Sequence, residues 1–386
     1  MDPRTAPASD RLLAAIATKD PVSGHTHNFY RYPARFSPLF VREVVREYSM
    51  PGDVVFDPFM GGGTTVVEAL MMGRKAIGVD LNELAHFVGT VKTTPLSESE
   101  CAILRKWAED IRTSLRRGVS PVGERVRNLP WHVHELLSDI MACAGQLRFE
   151  RRRRFVRCGL LKTGQWAIDC RRELPSTKEI VERLADDMGE MIEGIQEFTE
   201  SCKSHGLCKT KIRQSRLLLC RSTIGLEDDA RLKGWPKPSL VVTSPPYPSV
   251  HILYHRWQLG GRKETPAPYW LAALTDGHFA SHYTFGSRST VGLQNYFHNV
   301  EESFRSVRQI VSPSAVVVQM VAFSDTGTQL PRYLEAMNRA GYKEFNLLSH
   351  DRPTRIWRQV PNRKWYCRNR EQQDSAREVV LFHRPI

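Results

Sequence analysis

The chain contains no apolar run of membrane-spanning length, which excludes an integral helical membrane protein as the reading of its 386 residues. No Cys-x-x-Cys pair occurs among its eight cysteines, at positions 101, 143, 158, 170, 202, 208, 220 and 367. Scattered thiols argue against a disulfide scaffold or a dithiol redox motif, and for reduced cysteines. Cys202 and Cys208 flank His205, but the spacing fits no common zinc pattern, so no metal is expected. The one glycine-rich turn after a strand, Gly61–Gly62–Gly63, is not followed by Lys-Ser/Thr, which disfavours nucleoside triphosphate hydrolysis. Nor are its glycines spaced as a dinucleotide fingerprint requires. The first 20 residues read as a flexible lead-in or short helix rather than a secretion signal.

What is present is a 41% hydrophobic composition, enough for a sizeable core, and a net charge of +13. Lys and Arg against Asp and Glu count 10 to 10 in residues 1–95, 20 to 18 in 96–210, and 25 to 14 in 211–386. The positive excess therefore belongs to the C-terminal half and points to a polyanionic partner there. Apolar β-rich runs recur at 53–57, 75–80, 216–220, 239–243, 315–323, 345–350 and 378–384. Helical stripes separate several of them, including Val300, Phe304, Val307 and Val311, which predicts a mostly parallel sheet covered on both faces. The last two runs are expected to pair as an antiparallel hairpin. Between the second and third runs lie about 130 residues, far beyond an ordinary crossover. Ile180, Val181, Leu184, Met188, Met191, Ile192, Ile195 and Phe198 repeat there at helical spacing. Residues 93–212 are thus read as a largely helical insertion between two parts of one α/β domain, 1–92 and 213–386.

Two stretches carry chemistry. In "FDPFMGGGTT" a strand enters a glycine turn that lets backbone approach a ligand, with Thr64 and Thr65 opening a helix. Asp80 ends the next strand 23 positions after Asp57, where an acid can accept hydrogen bonds from both hydroxyls of a ribose. In "LVVTSPPYP" an apolar strand stops at Pro245 and Pro246, which lack the N–H groups a ladder needs, and Ser244 and Tyr247 frame that stop.

Together "ARFSPLF", "DPFMGGGTT", "GVDLN" and "TSPPYP" resemble the S-adenosylmethionine-dependent amino-group DNA methyltransferases, and the Ser-Pro-Pro-Tyr form resembles their N4-cytosine branch. The resemblance covers about 90 N-terminal residues and the stretch from about 213 to 260. It implies a doubly wound, mostly parallel, seven-stranded Rossmann-like sheet. It also implies that Phe36, Ser37, Pro38, Asp57, Phe59, Gly61, Gly63, Thr64, Asp80, Leu81 and Ser222 hold the cofactor. The expected catalytic residues are Ser244, Pro245, Pro246 and Tyr247. An acid that often follows the third strand in this family is replaced here by Cys220, Arg221 and Ser222. The chain has no Pro-Cys dipeptide of the kind used to attack a ring carbon of cytosine.

The partner so implied is double-stranded DNA, with a cognate restriction endonuclease as a candidate second partner and the bacterial cytoplasm or nucleoid as the expected location. Residues 352–370 hold seven basic side chains and no acid, interleaved with Trp357, Trp365 and Tyr366. Arg352, Arg355, Arg358, Arg363, Lys364 and Trp365 are accordingly expected to meet the duplex, with Arg256 beside the catalytic turn. Two other readings remain at this level: an adenine N6 or RNA amine as target, and a catalytically silent DNA-binding protein of the same fold.

Overall fold

The computed structural model describes residues 9–18, 22–32, 36–115, 118, 125–248, 256–260, 263–275, 285–287, 289–345, 355–359 and 377–386. The apolar runs become strands: β1 (Val54–Asp57), β2 (Lys75–Asp80), β3 (Arg216–Cys220), β4 (Leu240–Thr243), β7 (Val316–Val321), β8 (Tyr342–Glu344) and β10 (Arg377–Pro385). Their order across the sheet is β3-β2-β1-β4-β7-β10-β8. The first five run parallel, and β10 is antiparallel to both β7 and β8. An eighth strand, β9 (Ile356–Gln359), also pairs with β10, so the expected seven-stranded sheet gains a member drawn from the basic segment. A separate two-stranded hairpin, β5 (Trp257–Leu259) with β6 (Lys263–Thr265), follows the Ser-Pro-Pro-Tyr turn. Neither it nor β9 is long enough to show a pattern in sequence. The sixth run was expected at 345–350. Strand β8 occupies 342–344 instead, and residues 346–350 lie outside the described residues.

Alternating residues of the buried strands serve two cores. Val55, Leu240, Val242, Val316 and Val318 pack on one face, whereas Val54, Phe56, Val241 and Val317 pack on the other. The second face is covered by α11 (Thr290–Ile310) and α12 (Thr326–Arg339), through Val300, Phe304, Val307 and Tyr333. The first is covered by α2 (Pro38–Tyr48), α3 (Thr64–Met71) and α4 (Glu83–Lys92). Between β2 and β3 the chain continues from α4 through α5 (Glu98–Ser114), α6 (Trp131–Gly145), α7 (Glu150–Ile168), α8 (Thr177–Ser204) and α9 (Lys209–Gln214). Two short helices complete the layer: α1 (Asp10–Ala17) lies against α2, and α10 (Ala267–Ala272) against α7. Leu104, Leu137, Leu161 and Met188 from the helices between β2 and β3 join the same core as Val66 and Val88, so hydrophobic packing runs unbroken across residue 93.

From β1 the chain winds outward to β2 and β3, then returns to place β4 on the other side of β1. Strand order thus reverses between β1 and β4. At such a switch point the connections leave in opposite directions and open a crevice at the carboxyl ends of the strands. Both chemical motifs sit there.

Candidate active site

The glycine turn is held from three sides. Gly63 adopts φ +77°, a left-handed conformation that a Cβ would strain, and it caps the start of α3. Lys92, buried at the end of α4, donates from Nζ to the Gly62 carbonyl at 2.7 Å. Tyr32 lies against the turn so closely that a Cβ on Gly62 would meet its Cβ at 3.0 Å. Asp80 completes the frame: its Oδ2 accepts from Gly61 N–H and its Oδ1 from Asn82 N–H, each at 2.8 Å. Asp80 keeps part of its surface open, yet burial of the carboxylate pushes its pKa up to about 6. Each of its oxygens retains a further lone pair for a ligand hydroxyl.

Asp57 is more enclosed, at 4% exposure, and burial lifts it likewise to about 6. Its Oδ1 accepts from Phe59 N–H at 3.1 Å and from the Thr243 hydroxyl at 2.7 Å. Thr243 immediately precedes Ser244, so one hydrogen bond links the end of β1 to the mouth of the Ser-Pro-Pro-Tyr turn.

The Ser244 hydroxyl has two acceptors in reach, the Met320 carbonyl at 3.1 Å and the Tyr247 phenol oxygen at 3.2 Å. It can donate to one at a time, which leaves its lone pairs available. The Pro246 carbonyl accepts from Tyr296 Oη at 2.9 Å, fixing the turn against α11. Tyr247 in turn donates to Glu378 Oε1 at 2.7 Å.

The Phe-Ser-Pro segment has an evident structural task. Ser37 caps α2, accepting from Phe40 N–H at 3.5 Å with Pro38 in the first turn, and Phe36 packs on Phe40 with ring centroids 5.6 Å apart. The Phe59 ring packs on Phe285 and Phe304. Thr64 is buried at the first position of α3. Ser222 Oγ accepts from Ile224 N–H at 3.1 Å, shaping the turn after β3. In the same turn Arg221 faces Asp229, with Nη1 to Oδ2 at 2.9 Å. Arg231 also binds Asp229, and the two guanidiniums hold that carboxyl well below the usual range. Leu81 and Ile224, after β2 and β3, are exposed apolar side chains at this same edge.

Of the residues expected to meet DNA, Arg352, Arg363, Lys364 and Trp365 lie outside the described residues. The other three pair with carboxylates. Arg355 holds Glu344 through two bonds of 2.7 Å, Arg358 Nε lies 3.2 Å from Glu378, and Arg256 lies 3.7 Å from Glu264. Elsewhere a cavity of about 420 Å³ lies between the 125–130 loop and the β5–β6 hairpin. Arg125, Arg127 and Lys263 line it, and none of the motif residues does.

Residues 14–87 match the N6 and N4 DNA methylase family. This span contains the Phe-Ser-Pro segment, the glycine turn and Asp80; the methylase match stops before β3 and the Ser-Pro-Pro-Tyr turn. Over 111 residues the chain is 32% identical to the type II methyltransferase M.MvaI of Kocuria varians, covering 27% of this chain and 24% of that protein. Over 68 residues it is 35% identical to the type II methyltransferase M.MjaII of Methanocaldococcus jannaschii, covering 18% and 13% respectively. The chain thus spans a quarter or less of the length of these methylase relatives. Among solved structures, the rRNA methyltransferase aviRa from Streptomyces viridochromogenes aligns at 11% identity and a TM-score of 0.33, over 96% of this chain and 92% of that one.

Sequence reasoning missed Tyr32, Lys92, Ile224, Thr243 and Glu378. Lys92 left a signal, a charge at the end of an apolar helical stripe. Glu378 left none, because its partner Tyr247 is 131 positions away.

Proposed function

We propose that the protein methylates an exocyclic amine of a base in DNA, the N4 amine of cytosine, using S-adenosylmethionine. One juxtaposition carries the reading: the 2.7 Å bond from Thr243 to Asp57 sets the Ser-Pro-Pro-Tyr turn beside the glycine turn at the switch point of the sheet. The methylase match over residues 14–87 supports the cofactor half of it.

The donor set suits the cofactor. Asp80 would accept from the ribose hydroxyls, the Gly61–Gly63 turn with Phe36, Ser37 and Pro38 would border the methionine portion, and Asp57 and Phe59 would line the floor. Leu81 and Ile224 would flank the adenine, with Ser222 at its edge, in place of the acid that Arg221 supplants. Bound there, S-adenosylmethionine supplies a methyl group on a sulfonium, an electrophile that needs no covalent enzyme intermediate.

The protein's own part is to make a poor nucleophile better. The amine lone pair of cytosine is delocalised into the ring, and attack requires the nitrogen to pyramidalise as positive charge gathers on it. Ser244 Oγ and the Pro245 carbonyl accept hydrogen bonds from the amine and favour that change, held at a fixed strand end by the prolines, and the proton shed once the methyl has left the sulfonium passes to water. Tyr247 offers a face on which an extruded base stacks, worth about 1–3 kcal/mol, against a flipping cost of a few kcal/mol that phosphate contacts offset. Arg125, Arg127 and Lys263 are candidates for such contacts, in addition to the basic residues of 352–370. The type II relatives make a cognate restriction endonuclease a candidate partner.

The test is incubation of mixed DNA with methyl-labelled cofactor, followed by digestion to nucleosides. Labelled N4-methylcytosine is the expected product. Label confined to N6-methyladenine would reassign the target, and no cofactor binding by calorimetry at millimolar concentration would favour the silent DNA-binding protein.

A further inference from the structure

We infer that Glu378, set by Arg358, is the positioning residue for the target base: it fixes the Tyr247 ring and through it the Ser244 hydroxyl. The inference rests on the methyl-transfer reading above and assigns to β9 and β10 a task within it. Glu378 and Arg358 stand directly opposite each other in the β9–β10 pair, so the short strand β9 presents a guanidinium to a carboxylate buried to 8% exposure. The two carboxylate oxygens are divided. Oε2 faces Arg358 Nε at 3.2 Å, and Oε1 accepts from the Tyr247 phenol at 2.7 Å. A buried carboxylate is costly unless both oxygens are satisfied, so this arrangement is maintained by a cation on one side and a phenol on the other.

The consequence for Tyr247 is directional. With its hydrogen committed to Glu378, the phenol oxygen presents lone pairs to Ser244, whose hydroxyl lies 3.2 Å away. The bond to Glu378 fixes the position of the phenol oxygen, and because a phenol O–H prefers to lie in the plane of its ring, the direction of Glu378 biases the ring plane on which a base would stack. Arg358 adds a second observation. Neither its Nε nor its Nη1 makes a hydrogen bond among the described residues, so its hold on Glu378 is the charge–charge contact at 3.2 Å.

The test pairs two readouts in the full chain: single-turnover methyl transfer, and fluorescence of 2-aminopurine at the target position, which reports base extrusion and stacking. Wild-type protein that transfers no methyl group to DNA overturns the function proposed above, whatever the variants do. With an active wild type, Tyr247→Phe and Glu378→Leu combined with Arg358→Met are each expected to lower the transfer rate by about 10- to 100-fold, the scale of one lost hydrogen bond to a charged group. Cofactor affinity should stay within about twofold, since neither change touches the glycine turn. Glu378→Gln, whose amide oxygen can still accept from the phenol, should recover most of the rate, and adding Tyr247→Phe to the Glu378→Leu/Arg358→Met protein should cost little more. A Glu378→Gln protein as impaired as the leucine variant, or losses that multiply in the combined variant, would overturn the positioning role. So would a 2-aminopurine signal identical in all the proteins.

Discussion

The Thr243 hydroxyl donates to Asp57 Oδ1 at 2.7 Å, joining the last residue of β4 to the last residue of β1 across the point where the sheet reverses its winding. This bond brings two motifs about 180 residues apart in sequence onto one edge. It also places a carboxylate where water is scarce, which gives the site a measurable dependence on pH.

Burial raises Asp57 from an ordinary 3.8 to about 6, so the folded protein favours its protonated form. The stability from this group is full below pH 3.8 and is lost as pH rises through about 6, a difference of about 3 kcal/mol. Asp57→Asn keeps an oxygen for Thr243 but removes the charge. Urea unfolding should therefore show the variant at least as stable as wild type at pH 8, with its pH dependence between 4 and 7 flattened. A variant clearly less stable at pH 8 would refute this.

Asp80 offers the second titration. It accepts in both directions only when ionised, and its pKa is raised to about 6. Affinity for S-adenosylmethionine is expected to be level above pH 7 and to weaken by about tenfold per unit below pH 6. Asp80→Ala should weaken binding by about 100-fold at pH 8 and abolish that slope, as read by calorimetry.

Ser244→Ala removes an acceptor that matters only when charge develops on the amine. The expected result is a kcat lowered by about 100-fold, with cofactor affinity unchanged. Equal losses in both quantities would assign Ser244 to the fold of the turn instead.

Replacing Arg125, Arg127 and Lys263 together with alanine should weaken duplex binding and reduce the slope of log affinity against log salt by up to about 0.9 for each phosphate no longer neutralised. Fluorescence anisotropy between 50 and 200 mM salt measures both, and kcat at saturating DNA should not change. An unaltered slope would exclude this surface.

Much of the architecture could be read from the residues because near-continuous apolar runs have few alternatives to a buried strand. The stripe from Ile180 to Phe198 became the buried side of α8 for the same reason. The glycine turn and Asp80 were legible through spacing. Strand β9 was not: its four residues, Ile356 to Gln359, include Arg358, and basic sequence reads locally as a solvated surface. Only pairing with β10 reveals that Arg358 meets Glu378, while Arg355, just before β9, reaches Glu344 at the end of β8. Periodicity records which face of an element is apolar; it carries no trace of a carboxylate delivered from a distant strand.

Strand β10 enters the sheet between β7 and β8, and it is the last of the strands in chain order. On the ribosome the glycine turn is therefore complete some 300 residues before Glu378 is synthesised, and until then β7 waits with an open edge. A nascent chain that has already formed its N-terminal strands has yet to acquire the acid that accepts the Tyr247 hydroxyl.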